Sequence, residues 1–267
     1  QPDSAPAPGY FEAKQLKEEL ALSPAVSSGL SDVAIYFDYD ADAAWAVQPT
    51  GAGLNYFQLI MDHYKAFRTL GLNVDFVHKK TEDFSRYKLI SIVGAIHISS
   101  ELISRLSASK AKLVFGPRTG ARVGNMKIPT NLPPAINLVK SKVLRVETLP
   151  PNLSLEIDPL GQANRYIETI NVDSNAAPYL TLKNGKVIAT IEVTGAIYLG
   201  SMLDQEGLRT FYKGLFDEIE LDYLLMPAGI RRRCTDSEEF WFNYNDRTTQ
   251  TKNGYMKPAE VKRLPLI

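Results

Sequence analysis

The chain has 267 residues, of which 45% are hydrophobic and 22% are charged, as expected for a globular protein. Its 30 lysines and arginines balance its 30 aspartates and glutamates, which argues against a partner that is a nucleic acid or an anionic membrane surface. No run approaches the roughly 20 apolar residues that a membrane span needs. The single cysteine excludes an internal disulfide, and a cytoplasmic location is favoured.

The N-terminal segment is predicted to be a loop that leads into a helix. Residues 1–9 are rich in proline and have neither an initiator methionine nor an apolar leader, which indicates a chain that begins inside a longer protein. Residues 10–22 carry apolar side chains at helical spacing. Ser23 and Pro24 are expected to end this helix, and a connector follows up to residue 31.

The next hundred residues alternate between strands and helices. Short apolar runs typical of buried strands lie at residues 33–37, 74–77, 89–93 and 113–115. Amphipathic helices are predicted at residues 55–70 and 101–107, whereas the segment around Trp45 is predicted to be a loop. This alternation predicts an α/β fold with a doubly wound, mostly parallel sheet.

Beyond residue 135 the pattern of alternating strands and helices changes. Predicted elements are a strand at 143–149, an Asn-Gly hairpin at 179–191, a strand at 196–199 and a helix at 204–219. From Gly229 onward, short charged strands predict a small antiparallel β domain.

Acidic and aromatic residues follow the first predicted strand. Asp38 and Asp40 stand two positions apart, so a continued strand would point both carboxylates to one side. Paired carboxylates perform glycoside hydrolysis, but helix capping or loop hydrogen bonding explains this pair more simply. Trp45 is suited to stacking on a sugar, and more often such a residue packs in a core or an interface.

The fourth predicted strand opens into a loop rich in glycine and proline. The glycines of LVFGPRTGARVGN, residues 113–125, match neither the dinucleotide-binding nor the P-loop pattern. Arg118 has the chemistry to hold an anion with two parallel hydrogen bonds. A structural salt bridge or a contact with a neighbouring subunit is the favoured interpretation.

A nucleophile is missing from the turn where this fold class would present one. The third strand ends in VGAIH, residues 93–97, which offers His97 as a base without a partner. Cys234 follows three arginines that would lower the pKa of its thiol, although an unreactive strand cysteine is favoured. The three histidines and the cysteine are too scattered to predict a metal site, and no cofactor pattern is present.

Three stretches, in this order and spacing, resemble one family. They are VAIYFDYDADAAWAV (33–47), LVFGPRTGARVGN (113–125) and TGAIYLGSMLDQEGL (194–208). The first is similar to a strand with an acidic-aromatic turn, the second to a strand that precedes Pro-Arg-Thr-Gly, and the third to a strand with its following helix. The family is glycoside hydrolase family 42, the bacterial-type β-galactosidases.

The resemblance covers nearly the whole chain and implies three regions. Residues 1–31 resemble the last loop and helix of the family's catalytic barrel, with a connector. Residues 32–222 resemble its trimerisation domain, which has a class I glutamine amidotransferase-like fold without the nucleophile. Residues 223–267, with MPAGIRRR and EFWFNYNDRTTQ, resemble its small C-terminal β domain. The loop at 121–125 departs from the family pattern, which is acidic there.

This resemblance implies a non-catalytic role. The family's catalytic glutamates lie on a (β/α)₈ barrel of about 250 residues, so no catalytic, cofactor-binding or metal-binding residue is assigned. The chain is expected to be the C-terminal portion of a retaining β-galactosidase that assembles a homotrimer, walls the active site and meets β-galactosides only together with the barrel. Candidates for the interface or the sugar-site wall are Asp38, Asp40, Trp45, Arg118 and Asn125.

Two other hypotheses stay open. One is a free-standing amidotransferase-like domain that binds a carbohydrate or a partner without catalysis. The other is a hydrolase that uses His97 or Cys234.

Overall fold

The structure is a computed structural model that describes residues 4–22, 29–158 and 161–266. Its helices are α1 (Pro8–Leu22), α2 (Tyr39–Val47), α3 (Tyr56–Thr69), α4 (Ser100–Ala108) and α5 (Gln205–Glu218). The strands of the large sheet are β1 (Val33–Tyr36), β2 (Val74–Val77), β3 (Leu89–Ile92), β4 (Lys112–Phe115), β5 (Lys142–Thr148), β6 (Ser154–Asp158), β7 (Gln162–Asn171), β8 (Ala176–Leu182), β9 (Val187–Glu192), β10 (Ile197–Leu199) and β11 (Ser201–Leu203).

The large sheet has a parallel half and an antiparallel half. Strands β2, β1, β3, β4 and β10 run parallel in that order. From β10 the sheet continues antiparallel through β9, β8, β6 and β7, and β7 also pairs with β5 and β11. Since the carboxyl ends of the parallel strands meet at one edge, the loops after β1, β3 and β4 lie side by side.

Helices cover both faces of this sheet, which confirms the doubly wound prediction. One buried cluster joins the sheet to α2, α3 and α5, with Trp45, Tyr56, Phe67 and Phe216 among its members. A second cluster on the opposite face joins the sheet to α4. The strands β1 and β3 inside the parallel half are buried at every position, which explains why they are apolar except for Ser91.

A small antiparallel β domain follows, as predicted. Strands β12 (Ile230–Cys234), β13 (Glu238–Asn243) and β16 (Val261–Pro265) form one sheet, and β14 (Thr249–Thr251) pairs with β15 (Gly254–Met256). Its own buried cluster contains Ile230, Trp241 and Met256. Hydrogen bonds from Asn73 and Arg68 hold this domain against the end of α3.

The prediction of a loop around Trp45 is wrong, because that segment forms α2. Asp38 supplies the cap, since its Oδ1 accepts a hydrogen bond from the backbone of Asp40 at 3.1 Å. Four alanines follow in the next eight residues and favour a helix. The residues predicted to end the first helix, Ser23 and Pro24, lie outside the described residues.

Candidate functional site

The loops after β1 and β3 enclose a small cleft at the carboxyl edge of the parallel strands. This cavity of about 270 Å³ brings together Asp38, Asp40, Lys79, His97 and Met126. Two sequence candidates, the aspartates, are thus neighbours here, and the loop that carries Asn125 forms part of the rim.

The two aspartates do not act as a catalytic pair. Asp38 is buried and caps α2, while its own N–H donates to the Tyr56 hydroxyl at 3.1 Å. Asp40 is exposed in the first turn of α2 and forms an ion pair with Lys79. The favoured interpretation, helix capping, is confirmed for Asp38, and the helix rotates Asp40 away from the strand direction.

The turn after β3 has no space for a nucleophile. Gly94 occupies it with φ of +68°, a conformation that favours glycine. A Cβ atom there would lie 2.9 Å from the Tyr56 ring and 3.0 Å from the Leu59 side chain. His97 is exposed beyond the turn and faces Gly124 on the neighbouring loop. This packing excludes the nucleophilic chemistry that the fold would otherwise support at that turn.

Trp45 is part of the core that supports the edge. Its ring has no exposed surface, and its Nε1–H donates to the Gly94 carbonyl at 2.8 Å. The Arg118 guanidinium lies over the ring at 4.2 Å, which is a cation–π contact. Trp45 therefore cannot touch a ligand or a partner subunit itself. It supports the edge by holding Gly94 and Arg118 in position.

Arg118 anchors its loop from inside. It is buried with φ of +63°, and its Nη2 donates to the Gln48 carbonyl at 2.8 Å. Its Nη1 has no hydrogen-bond partner among the described residues. Burial lowers the pKa of this guanidinium. The side chain thus joins the loop after β4 to the end of α2 and is not available at the surface.

Glu168, on β7, is the partner that sequence analysis missed. Its carboxylate accepts the Arg118 backbone N–H at 3.0 Å, the Tyr166 hydroxyl at 2.9 Å and the Tyr198 hydroxyl at 2.8 Å. Burial raises the pKa of Glu168 to about 7, and the three hydrogen bonds and the Arg118 charge oppose that rise. This buried network fixes the loop after β4 to the antiparallel half of the sheet.

Above that anchored base, the loop exposes apolar side chains. Met126, Ile128 and Leu132 are about half exposed or more. Asn125 is exposed as well, and its Oδ1 accepts the Lys127 N–H at 3.2 Å. A rigid base with an apolar rim is typical of a contact surface rather than of a mobile lid.

Two further apolar surfaces lack a partner in the described part of the chain. Helix α1 has no buried residue, so Tyr10, Phe11 and Leu16 are all more than half exposed. A groove of about 520 Å³ lies between the end of β1, the outer face of α3 and β2, with the exposed rings of Phe57 and Phe76 on its walls. Contiguous apolar surface of this kind marks sites of association.

The arginines around Cys234 do not make its thiol reactive. Cys234 lies on β12, partly buried, and burial raises the pKa of the thiol despite the opposing charge of Arg232. Its backbone exchanges two hydrogen bonds with the side chain of Asn73. The proposed lowering of the thiol pKa is therefore wrong, and Cys234 serves to pair strands and hold the small domain.

Glu168 also predicts a pH effect on stability. The folded chain keeps the carboxyl proton up to about pH 7, whereas an unfolded chain releases it near 4.5. The unfolded state thus binds fewer protons between these values, so this group makes the folded state less stable as pH rises from about 4.5 to about 7.

His63 on α3 has the opposite effect. It is buried with Nδ1 2.5 Å from the Tyr212 hydroxyl, and burial lowers its pKa from 6.5 to about 4. As pH falls, this histidine takes up a proton near pH 6.5 in an unfolded chain but only near pH 4 in the folded chain. Stability from this group is therefore lost as pH falls through that window.

We expect the two effects to offset each other in the unaltered chain between pH 4.5 and 6.5. Glu168→Gln should remove the first, so the free energy of unfolding should then rise with pH across that window by about 2–3 kcal/mol. Urea unfolding at a series of pH values measures this. An unchanged pH profile in Glu168→Gln would show that Glu168 titrates normally in the folded chain.

The described ranges contain neither a metal-binding cluster nor a membrane-spanning helix. No group of three or more His, Cys, Asp or Glu residues there is placed to hold a metal ion. Within the same ranges, no helix is long and apolar enough to cross a membrane.

The fold and this edge define a class of protein: an amidotransferase-like α/β domain whose nucleophile turn is filled and whose exposed surfaces suit assembly. Residues 31–222 match the sequence profile of the β-galactosidase trimerisation domain. The chain therefore belongs to this family, in glycoside hydrolase family 42.

Individual relatives agree with this assignment. β-Galactosidase BgaA of a Thermus species is 34% identical over 253 residues, which cover 93% of this chain and 39% of the relative. The β-galactosidase of Thermus thermophilus is 33% identical over 258 residues, with the same two shares. The chain thus spans about two fifths of the length of the curated relatives that it matches.

Solved structures show the same partial correspondence. The β-galactosidase of the psychrophilic Marinomonas ef1 superposes with a TM-score of 0.87 at 28% identity, over 99% of this chain and 43% of that one. The β-galactosidase of Halorubrum lacusprofundi superposes with a TM-score of 0.90 over 98% of this chain and 44% of that one. At 23% identity, the second likeness concerns the fold alone.

Proposed function

We propose that this chain is the assembly portion of a β-galactosidase, which joins subunits into a homotrimer and walls a sugar site built on a separate catalytic barrel. In this proposal residues 1–31 complete the barrel, residues 32–222 form the assembly domain and residues 223–267 form the small β domain. Hydrolysis of terminal β-galactosides then belongs to the whole enzyme. A cytoplasmic location fits the lone cysteine, which needs no oxidising compartment.

The observation that carries this proposal is the combination of a filled nucleophile turn with unpartnered apolar surfaces. Gly94 leaves no room for a reactive side chain, whereas α1 exposes its entire apolar face. A helix of 15 residues that buries none of its side chains is marginal in water. Helix α1 therefore needs a covering partner, as expected for a piece of a barrel wall.

The rim of the loop after β4 suits contact between subunits. Its apolar side chains project from a base that Arg118 and Glu168 hold in place. Preorganisation of this kind lowers the entropic cost of association. Of the sequence candidates, Asp40 and Asn125 are the exposed ones and remain proposed for direct contact. Asp38, Trp45 and Arg118 are proposed to act by shaping the edge.

A complementation experiment tests whether catalysis and assembly reside in separate parts of the enzyme. The chain would be co-expressed with the part of Thermus BgaA that it does not match, and hydrolysis of a chromogenic β-galactoside would be measured. We expect the two pieces to purify together and to be active, and the chain alone to be inactive. Hydrolysis by the chain alone that is lost in His97→Ala would contradict the proposal.

The groove beside α3 favours a second candidate, a binding domain without catalysis. Its volume of about 520 Å³ and its aromatic walls are within the range of ligand sites. Calorimetry with galactose and lactose decides between the candidates. Saturable binding by a monomeric chain would favour this alternative over an assembly role.

A further inference from the structure

A cationic pocket lies where the last turns of α3 meet the small β domain. It has a volume of about 350 Å³, and its walls include four positively charged side chains. These are Lys65 and Arg68 from α3 and Arg231 and Arg233 from β12. Subunit assembly through the loop after β4 does not account for this concentration of charge.

None of the four cations is neutralised within the described ranges. No aspartate or glutamate lines the pocket, and none of the four takes part in an ion pair there. By contrast, Arg232 on the other face of β12 pairs with Glu239 at 2.5 Å. Like charges held together cost free energy, so an anion that enters the pocket would be stabilised by all four groups.

The other wall of the pocket is aromatic. Phe242 and Tyr244 stack with their ring centroids 6.1 Å apart and their planes 22° apart. Pairing of β12 with β13 sets Phe242 opposite Arg231. Tyr244 is 72% exposed, so much of its ring is accessible to a ligand. Rings presented in this way stack on flat or ring-shaped ligand groups.

The pocket is formed before any ligand arrives. Arg68 donates from Nη1 and Nη2 to the carbonyls of Leu72 and Arg232. Asn73 exchanges hydrogen bonds of 2.8 and 3.1 Å with the backbone of Cys234. These bonds fix β12 against α3, which leaves Arg233 and Lys65 as the exposed cations at the mouth. Such preorganisation favours binding of a small ligand.

We propose that this junction pocket binds a phosphate ester whose body carries a ring, that is, a nucleotide or a sugar phosphate. The guanidinium groups match the oxygens of a phosphate in geometry and charge. The ring of the ligand stacks on Tyr244 and Phe242. A pocket of this volume holds a ligand of that size.

Calorimetry on the 267-residue chain tests this inference with four probes: ADP, glucose 6-phosphate, inorganic phosphate and adenosine. We expect one of the two esters to bind on the order of tenfold more tightly than inorganic phosphate, and adenosine to bind weakest. Affinity for the ester should fall as salt is raised. Which ester binds better decides between a nucleotide base and a sugar as the stacked ring.

Variants locate the binding. Arg233→Gln and Tyr244→Ala should each weaken the ester on the order of tenfold, because each removes one of the two recognition elements. Both side chains are exposed, so folding should be retained. Arg145→Gln, an exposed arginine on β5, is the matched control and should bind like the unaltered chain.

Three results would overturn the inference. The first is the absence of ester binding at millimolar concentration. The second is equal affinity in Arg233→Gln and in the unaltered chain. The third is that inorganic phosphate and both esters bind with equal affinity and that Tyr244→Ala changes none of these affinities. That result would show that the ring of the ligand contributes nothing to binding.

Discussion

Glu168→Leu is expected to destabilise the chain by about 3–5 kcal/mol, a large share of the 5–15 kcal/mol typical of a folded domain. The substitution leaves three donors without an acceptor in a site that is 2% exposed: the Arg118 N–H and the hydroxyls of Tyr166 and Tyr198. It also removes the acceptor that holds the backbone of Arg118 against β7. Urea unfolding at pH 7 measures the loss.

Two variants make this result specific. Glu168→Gln keeps an acceptor of the same shape and should cost only about 1 kcal/mol, since the hydroxyls can reorient around an amide. Glu82→Leu replaces an exposed glutamate and should change stability by no more than about 0.5 kcal/mol. If Glu168→Leu were no worse than Glu82→Leu, the loop after β4 would not depend on this network.

Trp45→Ala is the second large effect, with an expected loss of about 3–5 kcal/mol. The change empties a fully buried site between α2 and the turn after β3. It deprives the Gly94 carbonyl of its donor and removes the ring beneath the Arg118 guanidinium. We expect the loss of stability to be accompanied by faster hydrogen exchange in residues 94–97 and 118–122.

Partial replacements separate packing from hydrogen bonding. Trp45→Phe keeps an aromatic ring but not the donor, so it should cost roughly half as much as Trp45→Ala. Val47→Ala, at an exposed position on the same helix, controls for changes in α2 itself and should be nearly neutral. A Trp45→Ala variant that unfolds at the same urea concentration as Val47→Ala would contradict the role given to this ring.

The parallel half of the fold could be predicted because its inner strands are buried on both faces. Strands β1 and β3 are apolar except for Ser91, and α3 has a strong apolar stripe that ends before Gly71. The antiparallel half was harder to predict. Strand β7 has ten residues that mix polar and apolar types, since it pairs with β5, β6 and β11 in different parts of its length.

The site at the carboxyl edge of the parallel strands was only partly predictable, because some of its contacts join residues far apart in sequence. Asp38, Trp45 and Arg118 stand next to strands and could be found from local sequence. Glu168 is 50 residues from Arg118 along the chain, and only the folded sheet brings the two together. The only sequence signal for Glu168 is its place in a strand that mixes polar and apolar residues. A glutamate in such a strand usually lies on the surface, so the signal does not indicate burial.

The filled turn at Gly94 could be anticipated in part. The absence of a nucleophile was visible in the sequence, whereas the reason that none can be accommodated was not. Tyr56 and Leu59 come from α3, and their distance to the turn depends on how that helix packs on the sheet. The sequence alone therefore showed that a nucleophile is missing. The structure explains why: the side chains of Tyr56 and Leu59 fill the space beside Gly94.

Light scattering on the purified 267-residue chain tests the assembly role most directly. We predict a single species with about three times the 29.7 kDa mass of one chain. Replacing Met126, Ile128 and Leu132 by serine should shift it towards one chain mass, while Val193→Ser, at an exposed position just after β9, should not. A chain that stays monomeric at every concentration tested would contradict the account.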